Sequence, residues 1–269
     1  MAKAKHPSKR ISLYNGEVAV EFTPATHRYR VNGKPVRGVT SILGVINKPF
    51  LLPWAVNQTI GYIMAHTDEF KAGTEADVNK ILYGAKDEHE RVRDEAAMLG
   101  SAIHAWVEQH LKGQKPEMPE NERAITAVMA FTEWLEGSKF KITDSERILY
   151  SRKHHYIGTC DMMGEKDGKL WLLDLKTGNQ IYPEAFLQTA AYAAAFTEET
   201  GKEVYGRCIL RISKETMKEH DDRHKKRGKV PPTWVPFEAR YTEGPEAQEK
   251  DFNTFLHAKS LYDWQAEQK

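Results

Sequence analysis

The residues that raise a chemical question are Asp174 and Lys176, in the run Leu170-Trp-Leu-Leu-Asp-Leu-Lys-Thr-Gly178. A short apolar run with a glycine behind it reads as a buried strand. Positions i and i+2 of a strand share a face, so acid and ammonium project together. Taking both out of water is costly, and a lone Asp-x-Lys is commonly a plain ion pair at a strand end. A second acid bears on the choice. Tyr156-Ile-Gly-Thr-Cys-Asp161 also ends an apolar stretch in a carboxylate, and Gly158 within it permits a close approach. The segment Gly164-Glu-Lys-Asp-Gly-Lys169 reads as a hairpin turn, which places Asp161 and Asp174 on adjacent antiparallel strands. Two close carboxylates with few other oxygen donors suit Mg²⁺ or Mn²⁺, ions that keep several waters and take phosphate oxygens as further ligands.

Around this pair stand elements that would position it. Gln188 and Tyr192 are spaced i, i+4 on an Ala-rich helical segment opened by Pro183 and ended by Gly201. Gly100-Ser-Ala-Ile-His104 lies on a long amphipathic helix read over Glu75 to Leu111, with Gly100 interrupting its pattern. A mid-helix glycine costs roughly 1 kcal/mol against alanine, which suggests close approach of another backbone or of DNA. In this order, Gly-x-x-x-His, Gly-x-x-Asp, Asp-x-Lys and Gln-x-x-x-Tyr resemble the RecB-like branch of the PD-(D/E)XK nuclease superfamily, over about Gly100 to Tyr192. His27-x-Tyr29, Val39-Thr-Ser-Ile-Leu43 and Lys48-Pro49 to Trp54 look like the N-terminal region of its phage-type exonucleases.

The resemblance implies that His104, Asp161, Asp174 and the backbone carbonyl of Leu175 hold the metal, with the imidazole making Mn²⁺ a good match. It also implies that Lys176 is catalytic, orienting the attacking water or stabilising the phosphorane, and that Gln188 and Tyr192 face the site as DNA-binding residues, bonding phosphate or the attacking water. Glu146 shares the inward parity of Ile142, Ile148 and Tyr150 on a strand read over Lys139 to Ser151, and in relatives a glutamate there lies near the metal. Arg152-Lys153-His154-His155 read as a basic hairpin tip; Arg152 and Lys153 are candidates for phosphate contact, and Gly100 for close approach of DNA.

The 269 residues, 40% hydrophobic and 29% charged, fit one large domain or a core with an appendage. A net charge of +1 does not itself announce a nucleic-acid binder. Cys160 and Cys208 are too few for the iron–sulfur cluster of some RecB-like nucleases, so no cluster is expected. No run reaches membrane-spanning length and no secretion signal is read, which points to the cytoplasm, a host's if the gene is a phage's.

The fold expected is α/β: a mixed β-sheet flanked by helices, with a restriction-endonuclease-like PD-(D/E)XK core and an N-terminal hairpin and helical subdomain. Residues 1–10 read as a disordered basic tail, 11–85 as the subdomain and 86–269 as the core. Within the subdomain, Glu17 to Phe22 and His27 to Val31 read as a hairpin, Asn32-Gly33 as a turn, and Thr40 or Ser41 as the cap of a short helix. Pro53 suits the first turn of the next helix. Further along, Glu120 to Leu135 reads as a helix, Val204 to Ile212 and Trp234 to Tyr241 as strands, and Pro245 to Gln268 as a closing helix with Phe252, Phe255, Leu256 and Leu261 on its apolar face. Lys214 to Lys229 is basic, either contacting phosphate or forming a solvated, mobile loop.

The activity expected is that of a metal-dependent DNA exonuclease in recombination, replication or repair. The partners envisaged are DNA and, in trans, a recombinase, a single-strand-binding protein or a helicase; with no phosphate-loop motif in this sequence, any motor is a separate chain. The rival readings are a structure-selective endonuclease and a non-cutting DNA-binding module of nuclease fold.

Overall fold

The computed structural model describes residues 7–268. Residues 9–38, where apolar and polar side chains alternate, build an antiparallel run of strands: β1 (Lys9–Leu13), β2 (Val18–Thr23), β3 (Arg28–Val31) and β4 (Lys34–Gly38). The Asn32-Gly33 turn takes positive φ at both residues, 48° and 77°, as a two-residue hairpin turn favours. The later strands are β5 (Lys141–Ser151), β6 (Tyr156–Lys166), β7 (Lys169–Lys176), β8 (Gly206–Ile212) and β9 (Phe237–Glu243). The helices are α1 (Val39–Ile42), α2 (Leu51–Ala65), α3 (Thr67–Ala72), α4 (Glu75–Leu111), α5 (Glu122–Ser138), α6 (Glu184–Thr200), α7 (Met217–Lys226) and α8 (Pro245–Glu267). Among the described residues, no helix is long and apolar enough to cross a membrane.

The chain divides into two units, Met1–Ile46 with Trp106–Lys269, and Asn47–Ala105. In the first, β5, β6 and β7 form an antiparallel meander, α6 crosses over, β8 returns parallel to β7, and β9 closes antiparallel to β8. This is the mixed sheet expected. Asp167 and Gly168, with φ of 53° and 72°, make the tight β6–β7 turn. One core lies between the sheet and α6 and α8, around Tyr156, Leu172, Phe196 and Phe255. A second joins Val20, Phe22, Tyr29 and Val31 to Ile148, Tyr150 and Ile157.

The N-terminal strands therefore belong to the core unit, since β4 pairs in parallel with β6 through Arg37–Tyr156 and Gly38–Ile157. The boundaries 11–85 and 86–269 cut across this packing. Of the expected tail, residues 1–6 lie outside those described, while Lys9 and Arg10 are in β1, paired with Phe22 and Glu21. Gly38 occupies the cap position of α1, rather than Thr40 or Ser41. The 214–229 stretch is not a loop, because Thr216 and Glu219 form a reciprocal capping box that starts α7. Leu261 is 45% exposed, so the apolar face of α8 rests on Phe252, Phe255, Leu256 and Tyr262.

The second unit holds α2, α3 and most of α4. Gly84 allows Tyr62 to lie against α4, where a Cβ would stand 2.6 Å from the Tyr62 hydroxyl. Helix α4 passes through Gly100 without a break, so the glycine does not interrupt it.

Candidate active site

Strand β6 carries the central acid. Its register pairs Met162 with Leu173 on β7, so Asp161 and Asp174 fall across from each other. On the other side, Ser145 pairs with Met162 and Arg147 with Cys160, which sets Glu146 across from Asp161. A carboxylate oxygen of Glu146 and one of Asp161 lie within 4.8 Å. Asp161 Oδ2 also accepts the Leu175 N–H at 2.7 Å, which fixes its orientation. Glu146 has φ of 52°, a conformation that costs a non-glycine residue about 1–3 kcal/mol and concentrates at functional sites. A register shift between Ile142 and Asp144 takes Ile142 out of phase, while the register is even from Asp144 to Ser151, so Glu146 keeps the parity of Ile148 and Tyr150.

The electrostatics follow from crowding. Burial pushes the Glu146 carboxyl up to about 7, reinforced by the charges of Asp161 and Glu108 and opposed by Lys112 and Lys9. Asp174 is 1% exposed, and its Oδ2 lies 2.6 Å from Lys176 Nζ. Burial works against the Lys176 ammonium, but Asp174 and Asp161 outweigh it and hold the lysine above its ordinary value. The two carboxylates thus favour the ammonium form of Lys176.

Lys176 Nζ donates to Gln188 Oε1 at 3.0 Å, and Gln188 Nε2 donates to the Tyr192 hydroxyl at 3.2 Å. The i, i+4 spacing on α6 puts these two side chains on one face. Burial, then the Asp174 charge, drives the Tyr192 hydroxyl well above the ordinary tyrosine value, so it stays neutral. Gly158 makes room for this ring: a Cβ there would meet Tyr192 Cε1 at 2.5 Å. Asp174, Lys176, Gln188 and Tyr192 thus form one continuous polar chain from β7 to α6.

The other expected residues are distributed unevenly. His104 and Gly100 belong to the second unit, His104 two residues before α4 enters the first unit at Trp106. Within the first unit, Glu146 and Asp161 offer carboxylate oxygens that could serve a metal ion. Hard carboxylate oxygens suit a divalent cation. Arg152 and Lys153 are not brought to this cluster. Arg152 pairs with Glu17 at 2.7 Å and stacks on Tyr14, while the Lys153 N–H donates to Glu198 at 3.0 Å. At about 3.3 Å per residue their turn stands roughly 16 Å along β6 from Asp161. Glu108 was not singled out from sequence, although it lies four residues after His104, the spacing that shares a helix face. Tyr29 also escaped that role; its hydroxyl meets Thr159 Oγ1 at 2.9 Å, and the Glu146 charge contributes to raising its pKa after burial.

A family model for the PD-(D/E)XK nuclease superfamily matches residues 78–260. Solved structures that resemble this chain include an alkaline exonuclease (LHK-Exo) from Laribacter hongkongensis, at 12% identity and a TM-score of 0.30, covering 63% of this chain and 86% of that one. Another is SSO0001, at 11% identity and a TM-score of 0.35, covering 83% and 82%. No curated protein matches.

Proposed function

This chain belongs to the PD-(D/E)XK nuclease superfamily, and from that premise we propose that it is a divalent-metal-dependent deoxyribonuclease that degrades DNA from its ends. The observation that carries the reading is the run of acids Glu146, Asp161 and Asp174 on adjacent strands with the Lys176 ammonium beside them. In this reading His104, Asp161, Asp174 and the Leu175 carbonyl hold Mg²⁺ or Mn²⁺, with Glu146 alongside. When bound there, the ion lowers the pKa of a water and stabilises charge on the scissile phosphate.

The chain's own residues do the rest. Lys176, held cationic by Asp174 and Asp161, stabilises negative charge that builds on the phosphoryl oxygens. Gln188 fixes the ammonium in place and is itself held by Tyr192. The Leu175 N–H keeps Asp161 from rotating away. The preference for ends rests on the ordered motifs from Gly100 to Tyr192. The same resemblance suggests work in recombination, replication or repair in the cytoplasm, beside a recombinase, single-strand-binding protein or helicase supplied in trans.

The test is digestion of end-labelled linear duplex and covalently closed circles of the same sequence with Mg²⁺ or Mn²⁺. Degradation of the linear DNA with survival of the circles is expected. Equal rates on both would replace the exonuclease reading with an endonuclease.

A further inference from the structure

The basic segment that the active site leaves unused contains an ordered pair of imidazoles. His220 and His224 stand one turn apart on α7, with ring centroids 4.4 Å apart. His220 Nδ1 meets Asp221 Oδ1 at 3.1 Å, and His224 Nδ1 meets the His220 carbonyl at 2.9 Å. A carboxylate and a carbonyl only accept, so each Nδ1 carries the hydrogen. The lone pair of each neutral ring is then on Nε2. Metal-ligating histidines are oriented in this way, the outer nitrogen donating to a carboxylate or a backbone carbonyl. His220 is 8% exposed, which holds its ring in place. The helix is braced from outside the pair: Thr216 and Glu219 close its capping box, Arg123 donates to Glu219 at 2.7 Å, and Arg223 to Glu215 at 2.7 Å.

We propose that His220 Nε2 and His224 Nε2 form a second metal site, for a borderline divalent transition ion of the Zn²⁺, Cu²⁺ or Ni²⁺ class, with water completing the coordination. Two histidines at i, i+4 on one helical face are the spacing such ions use. Nitrogen ligands select them over the hard ions suited to the acid cluster. Asp221 is a positioning residue that orients His220. The site ties residue 220 to residue 224 across one turn of a helix of 10 residues, a length that is marginal on its own. It would thereby hold the basic last turn, Arg223, Lys225 and Lys226.

The test uses the full chain in excess Mg²⁺, which keeps the carboxylate site occupied by a hard ion. Cu²⁺ is titrated and its nitrogen ligation read by electron paramagnetic resonance. Carbethoxylation of each histidine is then mapped with and without Zn²⁺ on the unmutated protein. The expected result is a copper signal with two nitrogen ligands that His224→Gln removes, and Zn²⁺ protection of His220 and His224 together. Asp221→Asn is expected to weaken Zn²⁺ binding by about 10–100-fold. Absence of Zn²⁺ protection at both histidines overturns the proposal without requiring any variant to fold. An unchanged two-nitrogen copper signal in folded His224→Gln also overturns it.

Discussion

Replacing Gly158 by alanine tests the link between packing and chemistry. The new Cβ would stand 2.5 Å from Tyr192 Cε1, 2.9 Å from its hydroxyl oxygen and 3.0 Å from Cζ. Ordinary contact begins near 3.4 Å, so the ring must retreat by about 1 Å or β6 must move, and overpacking of this kind costs about 1–3 kcal/mol. Tyr192 is 3% exposed and has little space to yield. Its displacement draws the hydroxyl from Gln188, which positions Lys176. A misplacement of about 1 Å in such a chain is worth about 10²-fold in rate. Gly158→Ala is therefore expected to lower the urea unfolding free energy by about 1–3 kcal/mol and turnover on linear DNA by about 10²-fold, with little change in DNA affinity. Adding Tyr192→Leu should recover part of the stability and none of the rate, because the clash goes but so does the hydroxyl. A Gly158→Ala protein as stable and as fast as the wild type would refute the reasoning.

Lys176→Ala should bind DNA nearly normally yet turn over about 10²–10³-fold more slowly; wild-type turnover in a folded variant would remove the ammonium from the mechanism, as checked by single-turnover cleavage and DNA affinity measured together. Burial pushes the thiols of Cys160 and Cys208 up, Cys208 from 9.0 to about 12, so neither should react with a thiol reagent in the native protein at pH 8, and both should react once it is unfolded. Because the folded state holds these protons more tightly, their contribution to stability is full below about pH 9 and is lost as pH rises toward the folded values. Denaturant titrations across that range should therefore show stability falling with pH.

Local chemistry made much of this fold legible. The Asp167-Gly168 turn and the apolar runs around it were enough to bring Asp161 and Asp174 onto neighbouring strands, because a tight turn leaves the pairing little freedom. Pro183 and Gly201 framed α6, and the i, i+4 spacing of Gln188 and Tyr192 carried through to one polar chain. What escaped sequence reading was set by tertiary contact. The parallel pairing of β4 with β6 involves Arg37 and Gly38 opposite Tyr156 and Ile157, and nothing local to either segment announces it. Glu146 keeps the parity read from sequence, but its positive φ is something strand alternation cannot foresee. Arg152 looked available for phosphate, yet it is engaged by Glu17 and Tyr14, more than a hundred residues away in sequence. Helix α7 was hidden by its charge, although Thr216-x-x-Glu219 was a readable start signal.

The claim on which the account depends is that the Asp161 cluster holds the metal needed for cleavage. The most direct measurement is cleavage of end-labelled linear duplex by the wild type and by Asp161→Ala, with Mg²⁺ or Mn²⁺ and again in excess chelator, after circular dichroism shows both proteins folded. Cleavage by the wild type with metal is expected, with none in chelator and none by Asp161→Ala at any metal concentration that supports the wild type. Cleavage by folded Asp161→Ala at the wild-type rate, or by the wild type in excess chelator, would contradict it.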